Sequence, residues 1–327
     1  MISATVLNEI TSRHEFHVGF GRGVSFALIA AAAGVVCTVL LRRPAPIAGL
    51  VVVLAFVTAT QPAHALSPDV SDSGALPASV THGLLLLAIA GLVTGLLAAW
   101  FKPLALVGLV LTFPGAMALT SDTGLPDRHW VAPLVVLTTV VGGTFVADFD
   151  RRHAKRGWGV VMFAVSVVGV YFTVPDTELA LVLLGASIPL VLLGWPFPIT
   201  SLGSVGAYPA VGALAWTAAF EGLGRPSSIV AGCACLGLFV VEPVTRVLLG
   251  LKRTIFDALP ARWWLTVPIA LLHLLLVFVA SRIAGLRAGV SQATTIVIAE
   301  LVTSVAFLWL LQAEITPAQP RTRRADQ

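Results

Sequence analysis

Three ionisable side chains stand inside long apolar runs of this chain: Glu242, His273 and Glu300. In a helix that crosses a bilayer, one charged residue near the centre costs about 2.5–3.5 kcal/mol on insertion scales. Three of them in neighbouring runs therefore call for partners or a purpose. Histidine is the side chain whose ordinary titration falls near neutral pH, and a carboxylate beside it can pass a proton or hold a polar ligand. Thr303 and Ser304, about one turn beyond Glu300, add hydroxyls that extend a polar path or cap helix carbonyls. Glu242 has Arg246 four residues on, where opposite charges meet along a helix. Glu242, Arg246, His273, Glu300 and Tyr208 are thus the expected lining of a substrate or proton pathway. The structural alternative is a His273–Glu300 hydrogen bond that only ties two helices together.

A second constellation is Asp148-Phe149-Asp150-Arg151-Arg152, a charge cluster expected at the cytoplasmic end of an apolar run. Two nearby carboxylates followed by arginines could hold a metal-bridged diphosphate. No second acidic cluster accompanies them, and Asp257 alone does not supply one. The pattern G-x-F-V-x-[D/E]-x3-R occurs at 143–152 and again at 237–246, so Asp148–Arg152 and Glu242–Arg246 are both expected to pair one turn apart. A helix-end anchor and a parallel internal repeat are both consistent with it.

The motifs of soluble catalysis are missing: no H-E-x-x-H, no G-x-S-x-G, no P-loop and no dinucleotide fingerprint. Neither a cofactor nor a metal site is expected. Cys37, Cys233 and Cys235 all lie in apolar runs, and the last two, two apart on a helix, point about 200° from one another. Neither a disulfide nor a zinc site follows from that spacing.

Composition determines what carries these residues. The 327-residue chain is 57% hydrophobic and 11% charged, with a mean hydropathy of +0.94, whereas soluble domains carry about 25% charged residues. Its apolar runs repeatedly reach the roughly 17–25 residues that a helix needs to cross a bilayer. An all-α, polytopic membrane protein is the expected fold class. The net charge of +4 does not point to nucleic acid, because the basic residues sit in short loops between apolar runs. Only three of the twenty basic residues are lysines, and Ala, Val, Leu and Gly dominate, as a GC-rich bacterial genome would produce. The expected location is the bacterial cytoplasmic membrane, with membrane lipids as partners and an anionic or lipid-linked molecule as the substrate class.

A polar segment, 1–23, precedes a single transmembrane domain, 24–312, and a basic cytoplasmic tail, 313–327. Spans one and two (24–41 and 47–60) flank Arg42-Arg43. The second mimics a secretory signal ending in Ala63-His64-Ala65, but a preceding span argues against cleavage. The loop 65–79 has no Lys or Arg and is expected outside. Span three (83–100) contains Gly91-x3-Gly95, a pattern that admits a close helix neighbour. Span four ends near 119 with a kink at Pro114, and span five descends to Asp148. The loop 148–157 has four basic residues, which mark the cytoplasmic side. Spans six (159–173) and seven (179–194) follow. Span eight (205–220) carries Gly206, Tyr208, Pro209 and Gly212 in its first half and is the expected broken helix. Spans nine to eleven (228–249, 264–280 and 292–312) complete the domain. Eleven spans place the N-terminus outside and the C-terminus in the cytoplasm, and ten spans with one re-entrant segment is the alternative count. A transporter or lipid flippase with a cavity walled by the C-terminal spans is the leading expectation. The alternatives are a membrane-embedded enzyme acting on a lipid-phosphate head group and a non-catalytic assembly subunit.

Overall fold

The computed structural model describes residue 28 and residues 78–100, 107–121, 130–153, 157–173, 178–195 and 199–221. Glu242, Arg246, His273 and Glu300, spans nine to eleven, the three cysteines, span two, span one apart from residue 28, the tail and the second copy of the repeat all lie outside the described residues.

Every regular element among the described residues is helical, as the long apolar runs require. Helix α1 is Ala78–Trp100, α2 is Val107–Leu111 and α3 is Phe113–Ala118. Then come α4 (Val131–Leu137), a π-helical stretch (Thr138–Gly142) and α5 (Gly143–His153). Helices α6 (Trp158–Thr173), α7 (Glu178–Gly194) and α8 (Gly203–Trp216) follow, and a second π-helical stretch, Thr217–Glu221, continues α8. Among the described residues, two helices, Ala78–Trp100 and the continuous Val131–Arg152, are long and apolar enough to cross a membrane. At 23 and 22 residues and 1.5 Å per residue, each spans about 33–35 Å.

Near Pro114, where a kink is expected, the helix is interrupted only by a turn at Thr112, between α2 and α3. Proline has no N–H to give the carbonyl four residues back, yet the turn holds: the Thr112 amide donates to the Gly108 carbonyl at 3.0 Å and the Ala116 amide to the Thr112 carbonyl at 3.0 Å. The break expected in the first half of span eight is absent. Helix α8 runs through Pro209 without interruption, and the departure from α geometry comes after it, at Thr217–Glu221. Sequence gave no sign of the π-helical stretch inside span five.

Helix α8 is the centre of the described bundle. Each residue from Gly206 to Trp216 is buried, which suits a helix that is apolar on every face. Small residues admit its neighbours. A Cβ on Gly91 would strike the Ser204 carbonyl and lie 3.1 Å from the Val205 Cα, so α1 and the start of α8 touch backbone to backbone. A Cβ on Gly212 would lie 2.9 Å from Leu87, 3.0 Å from Leu119 and 3.2 Å from Thr139. Val131 and Val135 of α4 pack with Ala215 and Ala219 at the far end. Consecutive long segments run antiparallel: Gly83 faces Leu119, and Gly157 faces Gly194. One end of the bundle therefore gathers the end of α5, the start of α6, the end of α7 and the start of α8.

The Gly91-x3-Gly95 pattern is thus a packing device with unequal halves. At Gly95 the nearest atoms to an added Cβ are the Ser204 side chain at 3.6 Å, an ordinary contact. Gly91→Ala is expected to cost about 1–3 kcal/mol through overpacking. Gly95→Ala should change stability by less than about 0.5 kcal/mol. Unfolding midpoints of the detergent-solubilised protein would separate the two variants.

Candidate functional site

The sequence cluster Asp148, Asp150, Arg151 and Arg152 is divided by the fold. Two residues apart on a helix means about 200° apart in direction, and the partners follow that geometry. Asp148 faces outward and binds both arginines, with Arg151 Nη2 at 2.7 Å and Arg152 Nη2 at 2.9 Å. The Arg152 Nε also donates to the Asp148 backbone carbonyl at 3.3 Å. The one-turn pairing expected from D-x3-R is present, as a half-exposed surface cluster worth at most about 1 kcal/mol.

Asp150 points the other way. It is 1% exposed, and its Oδ2 accepts a hydrogen bond from the Gly203 amide at 2.7 Å. The first turn of any helix leaves its amides without partners inside the helix, and a carboxylate there also meets the positive end of the helix dipole. Asp150 supplies that cap for α8 from across the bundle. Gly203 has φ 57°, a left-handed conformation that glycine adopts without steric penalty. On the other side of the carboxylate, a Cβ on Gly159 would collide with Oδ1, so only glycine leaves room at that position of α6. The Oδ1 atom has no hydrogen-bond partner, and neither has the buried hydroxyl of Thr200, three residues before Gly203.

Tyr208, expected on a polar pathway, is fully buried, one and a half turns further along α8. Its hydroxyl lies 3.2 Å from that of Thr144. Thr144 donates to the Val140 carbonyl at 2.8 Å, which uses its single hydrogen, so Tyr208 is the donor to Thr144. Glycines make the space: a Cβ on Gly143 would meet the Tyr208 ring, and one on Gly108 would meet its hydroxyl. Val140 belongs to the π-helical stretch Thr138–Gly142. Thr139 in the same stretch is buried with no partner for its hydroxyl.

Asp150 of α5 and Tyr208 of α8 therefore both lie on the seam between these two helices, while Asp148, Arg151 and Arg152 stay together at the surface. Gly159, Thr144, Gly203 and Thr200 were missed from sequence. The Thr200-Ser201-Leu202-Gly203 segment does carry a helix-start signal in its hydroxyl residues. Nothing local shows that the capping oxygen comes from a residue fifty positions earlier. Among the described residues, no group of three or more metal-ligating side chains converges. No protein-family model matches the chain, and no curated protein matches it in sequence.

Tyr208→Phe should cost about 0.5–1.5 kcal/mol, the net value of one hydrogen bond, because Thr144 keeps its bond to Val140. Gly143→Ala drives a methyl into the ring and should cost about 1–3 kcal/mol. Denaturant unfolding in detergent would rank them, and a larger loss for Tyr208→Phe would contradict the packing described.

Proposed function

We propose that this chain is a multi-pass protein of the bacterial cytoplasmic membrane, with about eleven spans, its N-terminus outside and its C-terminus in the cytoplasm, and that it works as a transporter or lipid flippase. The observation that carries the reading is the Asp150 carboxylate, buried within an apolar helical bundle and met by the Gly203 amide. Ionisable groups inside membrane bundles are costly and are kept for ion or substrate pathways. Further support comes from the two π-helical stretches, Thr138–Gly142 and Thr217–Glu221, in segments that pack together. Such irregular turns recur at functional sites, and transporter sites are built where helices depart from regularity. In this reading Glu242, His273 and Glu300 line a polar cavity formed by the C-terminal spans.

The alternative of an enzyme acting on a lipid-phosphate head group draws no support from Asp148 and Asp150. Their carboxylates face opposite sides of α5 and are engaged by two arginines and a helix terminus, respectively, so they do not share one metal. A purely structural subunit leaves the buried carboxylate without a role beyond capping.

The reading requires water beside the C-terminal ionisable residues. His273→Cys and Glu300→Cys, each in a background with Cys37, Cys233 and Cys235 replaced, should react with a membrane-impermeant thiol reagent in intact vesicles. Failure of both to react, with the same reagent labelling an exposed control cysteine, would place them in a dry helix interface and remove the transport reading.

A further inference from the structure

Charge is distributed unevenly between the two ends of the described bundle. Helix α1 runs antiparallel to α8, since Gly91 meets Ser204 and Val205 while Leu87 meets Gly212. Helix α5 does the same, with Asp150 at Gly203 and Gly143 at Tyr208. Both therefore finish where α8 begins, as does α7, whose Gly194 meets Gly157 and Val160 at the start of α6. Gathered at this end are Arg151 and Arg152 of α5, Trp100, which closes α1 at 91% exposure, and Trp195, which follows α7 and packs on Val161. The sequence adds Lys102 two residues after Trp100, and Lys155 and Arg156 between His153 and Gly157. At the opposite end, α7 starts on Glu178 and the second π-helical stretch finishes on Glu221.

The fold makes the first of these ends more positive than its sequence. Residues 148–157 hold two aspartates and four basic residues, but Asp150 is turned into the bundle, bound to the Gly203 amide. Asp148 is the one carboxylate of that segment left at the surface, and it is shared by two arginines, at 2.7 and 2.9 Å. Its single charge balances only one of them. The Arg151 side chain is 46% exposed and spends Nη2 on Asp148, while a guanidinium offers five N–H donors in a fork that matches phosphate oxygens. Tryptophan rings favour the level of lipid head groups, and the α1 surface that leads to Trp100 is exposed and apolar at Ile89, Leu92 and Leu96. A soluble polyanion would match the arginines alone. An anionic lipid matches the arginines, the tryptophans and the apolar helix surface together.

We propose that the end of the bundle formed by Arg151, Arg152, Trp100 and Trp195 binds the phosphate head groups of anionic phospholipids, and that Asp148 holds this affinity down by competing for both guanidinium groups. The proposal rests on the membrane part of the reading above and not on transport.

A ligand that binds only the folded protein raises its stability by mass action. The test is thermal unfolding of the purified full chain in detergent, with phosphatidylglycerol or phosphatidylcholine at equal mole fraction, and with inorganic phosphate alone. Phosphatidylglycerol should raise the midpoint by about 2–4 °C more than phosphatidylcholine, and the difference should shrink as added salt screens the exposed charges. Arg151→Gln should remove at least half of that difference, and Asp148→Asn, which releases both arginines, should enlarge it. A cluster that only anchors the helix end predicts neither change. Equal midpoints in the two lipids, a rise reproduced by inorganic phosphate, an undiminished difference in Arg151→Gln or a smaller one in Asp148→Asn overturns the proposal. Should either variant fail to accumulate, the other decides. Flotation with vesicles separates this site from the membrane reading: a chain that floats with phosphatidylcholine vesicles and has no preference for phosphatidylglycerol refutes the lipid site alone, whereas a chain that floats with neither refutes the membrane reading and the site with it.

Discussion

The end of the bundle is organised by one charge placed where a helix begins. The part-buried residues that start α8, Gly203 to Val205, have no side-chain cap of their own, so the first amide depends on an acceptor from elsewhere. The Asp150 carboxylate, from α5, meets the Gly203 amide at 2.7 Å and so supplies the missing acceptor. The bond is charge-assisted, which makes it stronger than a neutral one. It also fixes register: α5 and α8 run antiparallel, and the cap aligns Gly143 with Tyr208 further up the same seam.

The rest of the described packing is the consequence of bringing backbones close to that central helix. In a bilayer the hydrophobic effect does not drive helices together, so association depends on close van der Waals contact and buried hydrogen bonds. Gly91 supplies the contact with α1, Gly143 and Gly108 make room for Tyr208, and Gly159 lies on the carboxylate itself. The hydroxyls of Thr94, Thr112 and Thr144 donate to carbonyls four residues back in their own helices, whereas Asp150 Oδ1 and the buried hydroxyls of Ser79, Thr139, Thr200 and Thr217 have no hydrogen-bond partner.

Much of the helical architecture was legible because it rests on local properties. Apolar length marked a span over 83–100 and another ending near Asp148, where the helices are Ala78–Trp100 and Val131–Arg152, Pro114 marked a segment whose helix is interrupted at Thr112, and D-x3-R marked the Asp148–Arg152 pair. What could not be read depended on contacts distant in sequence. Asp148 and Asp150 looked like one cluster because they are adjacent in the chain, and only the helix phase and the position of Gly203 separate a surface salt bridge from a buried cap. Pro209 looked like a break in α8, but a helix enclosed on all sides by protein tolerates the missing amide. The π-helical stretches leave no compositional trace, since Thr138–Gly142 is as apolar and small as its surroundings.

The central claim is that Asp150 lies inside the bundle on the first amide of α8. Solid-state NMR of the full chain in lipid bilayers, with a carbon label at the Asp150 carboxyl and a nitrogen label at the Gly203 amide, measures that contact directly. A hydrogen bond at the observed length places the two labelled atoms about 3–4 Å apart, giving strong dipolar transfer between them. Absence of transfer, with the Asp150 carboxyl showing the mobility of a solvated surface group, would contradict the account.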